Sequence, residues 1–277
     1  MTITKPVRTF AEFSAHDGAK ARLRARARDL AIRALSFTRQ PGQGSGWIRF
    51  PFWHHVFDDE RQGFARQLSW MKRYGEFIGF SDAVSLLASG DSISGRYFCP
   101  SFDDGFKNVA TNAAPILGEA GARAMVFLAT GYTGETDPQK LRQFYDHGRL
   151  QVDFMDWDDA RAWLAGGHEV GSHTRTHACL ARLDAANVLG ELQTSKLDIE
   201  NGLGIDCRHF CCPWGRPGID FLIVRDPALA ARVGYASFAT TARGGNHRGD
   251  SPFAIHRDHL LANEPDYHLR YFLGVRP

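Results

Sequence analysis

From Trp47 onward, short apolar runs alternate with helical patterns, and this rhythm constrains the fold more than any other feature of the chain. WIRFPFW (47–53), RYFCPSF (96–102), ARAMVFLAT (122–130), HEVGS (168–172), RHFCCP (208–213) and YASFATT (235–241) read as strands. Between them RQGFARQLSWMKRYG (61–75), NVATNAAPILGEAG (108–121), DDARAWLAGG (158–167), LDAANVLGELQTSKLDIENGLG (183–204) and IDFLIVRDPALAARVG (219–234) read as helices. Strands alternating with helices imply a mainly parallel sheet, open or closed into a barrel. In barrels of this kind the chemistry gathers at the C-terminal ends of the strands. The polar residues of interest fall there.

Composition narrows the class without choosing a partner. The 277 residues carry 33 Lys plus Arg against 31 Asp plus Glu, a formal charge of +2, so bulk charge selects neither nucleic acid nor an acidic surface. With 43% hydrophobic residues the chain can bury a full core, which excludes a disordered or collagen-like protein. No apolar run approaches the roughly 18–20 residues that span a bilayer. The start, MTITKPVRTFAEF, lacks the apolar core of a secretory signal, and five cysteines make an odd set. The expectation is a cytoplasmic protein, at most peripheral to the inner membrane.

Residues 1–46 read as a separate basic extension, with residues 47–277 as the main domain, where a catalytic unit, if there is one, begins. AKARLRARARDLAIRAL places Lys20, Arg22, Arg24, Arg26 and Arg28 around Leu23, Ala27, Leu30 and Ala31 at helical spacing, and PGQGSG (41–46) then forms a linker. No aromatic residues are interleaved with the charges, so nucleic acid is not the expected partner. The readings that stay open are a solvated helix face and docking on a membrane surface or partner protein through Leu23, Leu30 and Leu35.

Two polar clusters carry chemistry. Asp103-Asp104-Gly105 follows one strand, and adjacent carboxylates need a cation or donors if both stay ionised; an Asp-Gly turn is the plain reading of the same residues. His173-Thr-Arg-Thr-His177 follows another, and a four-residue spacing lets both imidazoles aim at one point. Two histidines plus a carboxylate leave open positions on a divalent metal, the arrangement of a catalytic site, and accept zinc, cobalt, nickel or iron.

Here the chain resembles the polysaccharide deacetylases of carbohydrate esterase family 4, the NodB-homology domain, over roughly residues 47–257. Ser101-Phe102-Asp103-Asp104-Gly105 is similar to the family's T-F-D-D-G, and Gly171-Ser172-His173-Thr174-Arg175-Thr176-His177 to G-S-H-[ST]-x-x-H. PILGEAGARAMVFLATGYTG and MDWDDARAWLAGGHEVGSHT resemble the segments leading from the first motif and into the second. The resemblance implies a distorted, incomplete TIM-like (β/α)7 barrel and a metal-dependent hydrolase that removes an N-acyl group, foremost acetyl, from an amino sugar in a glycan or in a lipid- or nucleotide-linked precursor. It implies Asp104, His173 and His177 as metal ligands, Zn²⁺ first among the candidate ions, and Asp103 as general base. Phe210-Cys211-Cys212-Pro213-Trp214-Gly215 resembles F-R-x-P-x-G, so the backbone N–H of Trp214 is the expected oxyanion donor. The arginine that normally orients the catalytic Asp is Cys211 here.

TTARGGNHRGDSPFAIHRDHL resembles the segment that supplies the general acid in many members. His256 is the expected acid and Arg257 the candidate substitute for the missing arginine, with Asp258 and His259 close enough to take either part. No counterpart of the family's D-x-x-D-W support for the acid is present. Trp53-His54-His55-Val56 resembles the Y-H-x-V that ends the first strand, which places His54 at the mouth of the site. Two other functions fit the residues: a non-catalytic carbohydrate-binding or partner subunit that retains the fold, and a deformylase with a smaller acyl pocket.

Overall fold

The computed structural model describes residues 6–15, 18–144 and 152–274; residues 1–5 and 16–17 of the expected extension lie outside the described residues. Helices α1 (Phe10–Ser14) and α2 (Ala19–Ser36) open the chain. Strands β1 (Trp47–Arg49) and β2 (Pro51–Trp53), helix α3 (Arg61–Lys72), strand β3 (Glu76–Phe77), helix α4 (Phe80–Ser89) and strands β4 (Arg96–Phe98) and β5 (Ser101–Phe102) follow. A π-helical turn at Val109–Ala113 leads into α5 (Ala114–Ala120), then β6 (Met125–Leu128), α6 (Pro138–Phe144), α7 (Trp157–Ala165), β7 (Glu169–Ser172), α8 (Ala185–Leu203), β8 (His209–Cys211) and α9 (Arg225–Val233). The chain ends with β9 (Ser237–Ala239), β10 (Asn246–His247), β11 (Asp258–His259) and α10 (Asp266–Leu273).

Seven strands form one parallel sheet in the order β11-β2-β5-β6-β7-β8-β9. It curls until the last segment touches both edges: Asp258 and His259 pair with β2, while Ile255 bridges to Ala239 of β9. That single-residue bridge closes the ring poorly, giving the incomplete α/β barrel. β6 is buried on both faces, as a strand enclosed between a barrel interior and a helical layer requires. Met125 and Phe127 point to the interior with Phe50, Ile48 and Ile255, and Val126 and Leu128 to the helices.

Three expectations change. WIRFPFW and RYFCPSF are each two strands, not one: β1 and β4 pair in a second sheet, order β10-β1-β4-β3, while β2 and β5 belong to the barrel. Pro51 and Pro100 stand at the breaks, where a missing N–H prevents a continuous ladder. Of the pattern at 219–234 only Arg225–Val233 is helical. Asp226 accepts the Leu222 N–H at 2.7 Å and Asp220 accepts the Arg216 N–H at 2.9 Å, so the preceding chain is tied into turns and leaves Ile219, Ile223 and Val224 exposed.

The basic helix packs on α10 through buried Ile32 and through Asp29, which accepts from Tyr267 Oη at 2.7 Å and pairs with His268 Nε2 at 2.8 Å. Leu23, Leu30 and Leu35 stay exposed. No helix among the described residues is long and apolar enough to cross a membrane.

Glu60, in the turn before α3, is buried at 3% exposure, with Oε2 accepting the Phe57 N–H and Oε1 without a hydrogen-bond partner. Burial pushes its carboxyl up to about 7. A folded-state value above the unfolded one means the unfolded chain releases this proton first, so stability falls as pH rises from the unfolded value through about 7. Glu60→Gln, which mimics the protonated form, is expected to match the parent near pH 4 and to exceed it increasingly up to pH 8, by up to roughly 3 kcal/mol. Urea unfolding across that range checks this, and a difference that ignores pH refutes it.

Candidate active site

The four described non-glycine residues with positive φ are Asp104 (73°), Thr174 (64°), His177 (57°) and Trp214 (55°), and all lie just beyond β5, β7 and β8. Such backbone is costly for residues with a Cβ and persists where the surrounding structure imposes it. Gly105 has left-handed backbone (φ 82°), strained for any residue with a Cβ, so the Asp-Asp-Gly turn favours its glycine. The histidine pair sits on a tight loop. Glu191 of α8 accepts the N–H groups of Arg175 and Thr176 at 2.9 Å each and the Thr176 hydroxyl at 2.8 Å, which fixes the loop from below.

These turns bring Asp104, His173 and His177 together. Asp104 Oδ1 lies 3.3 Å from Nε2 of His173 and 3.3 Å from Nε2 of His177. His173 Nδ1 is 2.8 Å from the Cys211 carbonyl, an acceptor, so Nδ1 carries a proton and Nε2 is the nitrogen turned to Asp104. Burial lowers the pKa of His177, which keeps it neutral near pH 7. Burial acts to raise the Asp104 pKa, but the imidazoles of His177 and His173 outweigh it and hold the carboxyl well below the usual range. Asp104 Oδ1 is buried with no hydrogen-bond partner. A buried carboxylate oxygen and two imidazole nitrogens thus converge, a donor set that suits a divalent cation. Metal–ligand bonds of about 2.0–2.2 Å imply tetrahedral edges of about 3.3–3.6 Å, so the two measured separations fit.

Asp103 is occupied differently. Arg257, fully buried, donates from Nη1 to Oδ1 at 2.7 Å and from Nη2 to Oδ2 at 2.8 Å. Its Nε donates to the Thr240 carbonyl at 2.9 Å, Nη2 also reaches Cys211 Sγ at 2.8 Å, and the guanidinium lies 4.0 Å from the centroid of the Phe52 ring. Burial works to raise the Asp103 pKa, and the guanidinium prevails and lowers it. Asp103, His173 and Cys211 also lie close enough to share an ion, but the arginine fork takes both Asp103 oxygens and burial pushes the Cys211 thiol up, so the Asp104 cluster is the better cation site. Cys211 and Cys212 face opposite sides of the strand, into the barrel and toward the helices.

His256 does not join the cluster. Side chains alternate along the extended run into β11, which sends Arg257 and His259 inward and leaves His256 beside Gly244, where an added Cβ would meet Nδ1 at 3.3 Å. Asp258 likewise points away, to Arg49 at 3.0 Å. His259 Nε2 instead lies 3.2 Å from His54 Nδ1, and His54 Nε2 is 3.9 Å from Asp104 Oδ2. Burial pushes the His259 pKa down to about 3. The Trp214 ring stands 4.6 Å from the His177 ring, and among the described residues no acceptor takes the Trp214 N–H. Glu191, which braces the histidine loop, carries no signal in the sequence; it reads as an ordinary polar position on α8.

Residues 94–228 match the family described as polysaccharide deacetylase. No curated protein sequence matches the chain. Three solved structures share the fold. IcaB from Ammonifex degensii is 21% identical over 83% of this chain and 97% of its own, with a TM-score of 0.68. The Streptococcus pyogenes deacetylase PplD, in complex with acetate, is 19% identical over 84% and 100%, TM-score 0.67. The BpsB deacetylase domain from Bordetella bronchiseptica is 20% identical over 80% and 98%, TM-score 0.64.

Removing one partner of a buried pair leaves the other charge uncompensated. Arg257→Ala is therefore expected to cost about 3–5 kcal/mol of stability, and adding Asp103→Asn to recover part of it. Chemical unfolding of the single and double variants measures both, and an Arg257→Ala protein as stable as its parent refutes the coupling.

Proposed function

This chain carries a polysaccharide deacetylase domain, and from that premise we propose that it is a metal-dependent hydrolase removing an N-acyl group, acetyl in the first instance, from an amino sugar. The observation that carries the reading is the convergence of Asp104 Oδ1 with two imidazole nitrogens at 3.3 Å, with no hydrogen bond to that buried oxygen. Asp104, His173 and His177 would hold a divalent ion, Zn²⁺ first and Co²⁺, Ni²⁺ or Fe²⁺ as alternatives. When bound, such an ion polarises the acyl oxygen and makes water acidic enough to attack at neutral pH.

The remaining work belongs to the protein. Asp103 is the general base: Arg257 keeps it ionised and aims it, leaving its basicity for the proton of the attacking water. The free N–H of Trp214 is the donor for the developing oxyanion. We assign delivery of the proton to the leaving amine to His54, beside Asp104 and positioned by His259, whose Nε2 lies 3.2 Å from His54 Nδ1, in place of His256. Catalysis is assigned to residues 47–277. The basic helix of the 1–46 extension is assigned to docking, and a cytoplasmic site of action is part of the same reading.

Chelation is expected to abolish hydrolysis of an N-acetylated glucosamine oligomer, with Zn²⁺ or Co²⁺ restoring it. Asp104→Ala should lose both metal and activity, whereas Asp103→Asn should keep its metal and lose about 10²–10⁴-fold in kcat. Metal content with steady-state rates tests this, and an Asp103→Asn enzyme of parental kcat overturns the base. Glu191→Ala, through the loop it braces, should weaken metal binding about 10–100-fold. His259→Gln is expected to depress kcat strongly and His256→Gln to leave it near parental; the reverse order would return the acid to His256.

A further inference from the structure

A cavity of about 270 Å³ opens on Asp104 from the side of β2. Its wall is aromatic and aliphatic, with Phe10, Phe13, Phe57, Phe106, Leu260 and Leu261 in the lining, and His54 and His259 at the end nearest the cluster. Phe10 and Phe13 come from α1, more than thirty residues before the first barrel strand. They are held there by specific bonds: the Phe10 and Ala11 N–H groups donate to Asp59 at 2.7 and 3.2 Å, and Arg8 pairs with Asp58 at 3.2 Å. Phe13 packs on Phe57 at 5.3 Å and on His55 at 5.4 Å, and His55 stacks on Phe106 at 4.1 Å. One aromatic layer therefore runs from the N-terminal arm to the residues after the Asp-Asp-Gly turn.

Resting on the deacylase reading, we propose that this cavity is the acyl pocket and that it accepts linear acyl chains longer than acetyl. A scissile amide at the Asp104 cluster has one substituent on each side of its carbonyl, the acyl chain and the sugar-bearing nitrogen. The sugar is polar and belongs to a glycan that must reach solvent, so the apolar cavity suits the acyl side. By the same measure of volume a single water needs only about 10–15 Å³, so the space is far larger than a methyl group requires and larger still than a formyl hydrogen. Burial pushes His55 down to about 3 and Glu60 up to about 7, so two titratable groups of the wall away from Asp104 resist carrying charge.

The test uses the full-length metal-loaded enzyme and glucosamine oligomers bearing N-acetyl, N-butyryl or N-hexanoyl groups. Each methylene buried in the pocket is expected to raise kcat/KM about fourfold, and hexanoate should bind more tightly than acetate by at least tenfold in calorimetry. Phe13→Ala should lower the hexanoyl-to-acetyl ratio of kcat/KM about tenfold, with Phe13→Leu intermediate. Thermal melts verify that both variants fold. Acetyl turnover with kcat/KM flat or falling along the series overturns the pocket while sparing the deacylase reading. No turnover of any acyl group overturns that reading instead, and the carboxylate binding series then decides the pocket by itself: equal affinity for acetate and hexanoate rejects it.

Discussion

The buried fork between Arg257 and Asp103 is the interaction on which the rest of the site depends. Two charges taken out of water cost several kcal/mol each, and geometry must repay them. Here the guanidinium meets both carboxylate oxygens, the Thr240 carbonyl, Cys211 Sγ and the face of Phe52. Those contacts come from β5, the end of β9, β8 and β2, while the arginine itself rides on the segment that bridges the two edges of the sheet. Neutralising Asp103 and closing the barrel are thus one event. With Cys211 on β8, where the resembling family has arginine, the cation reaches the same carboxylate from the opposite side of the ring. A thiol is small enough to leave the guanidinium room.

Because Asp103 is satisfied by arginine, Asp104 is free for the imidazoles. The turn makes the division of labour possible: Asp104 at φ 73° and Gly105 at φ 82° swing the second carboxylate away from the first and toward His173 and His177. Left-handed backbone at Thr174, His177 and Trp214 does the same on the facing loops. The strain is spread over three strand ends and is balanced by the Glu191 brace and by the barrel beneath. A cation at the convergence would bind the carboxylate and both imidazoles at once and so tighten the loop arrangement.

How much of this the chain announces in its sequence depends on whether the signal is local. The alternation of strands and helices, the Asp-Asp-Gly turn and the His-Thr-Arg-Thr-His spacing are short-range features, and the barrel and the convergence of Asp104 with the two histidines follow from them. Arg257 reaches Asp103 across 154 residues, so its sequence neighbourhood makes it a candidate only, and the fork appears when the sheet closes. His256 and His259 differ by a question of phase. Both lie in one extended run, and the residue that faces inward is decided by where Asp258 registers against Pro51. The apolar stretch at 219–224 reads as helix, but side-chain carboxylates at Asp220 and Asp226 capture the backbone donors that a helix would need.

The N-terminal arm contributes to the cavity beside Asp104 although composition sets it apart from the barrel. The basic helix and the Pro-Gly linker separate residues 1–46 from the barrel in sequence, yet Phe10 and Phe13 line the cavity beside Asp104. Two phenylalanines in a polar segment carry little weight in any window of hydropathy. Their effect comes from geometry: Asp58 and Asp59, at the turn before α3, bind the arm by its backbone and by Arg8, and the rings then have only the β2 aromatic layer to cover. The charged centre of the site is therefore built by strand ends of the barrel, whereas the apolar wall next to it is completed by a segment outside the barrel. Such a wall can vary without disturbing the Asp104 cluster or the Asp103–Arg257 fork. On the proposed reading, that separation would let one hydrolytic centre serve different acyl groups, with acyl selectivity set in part by α1.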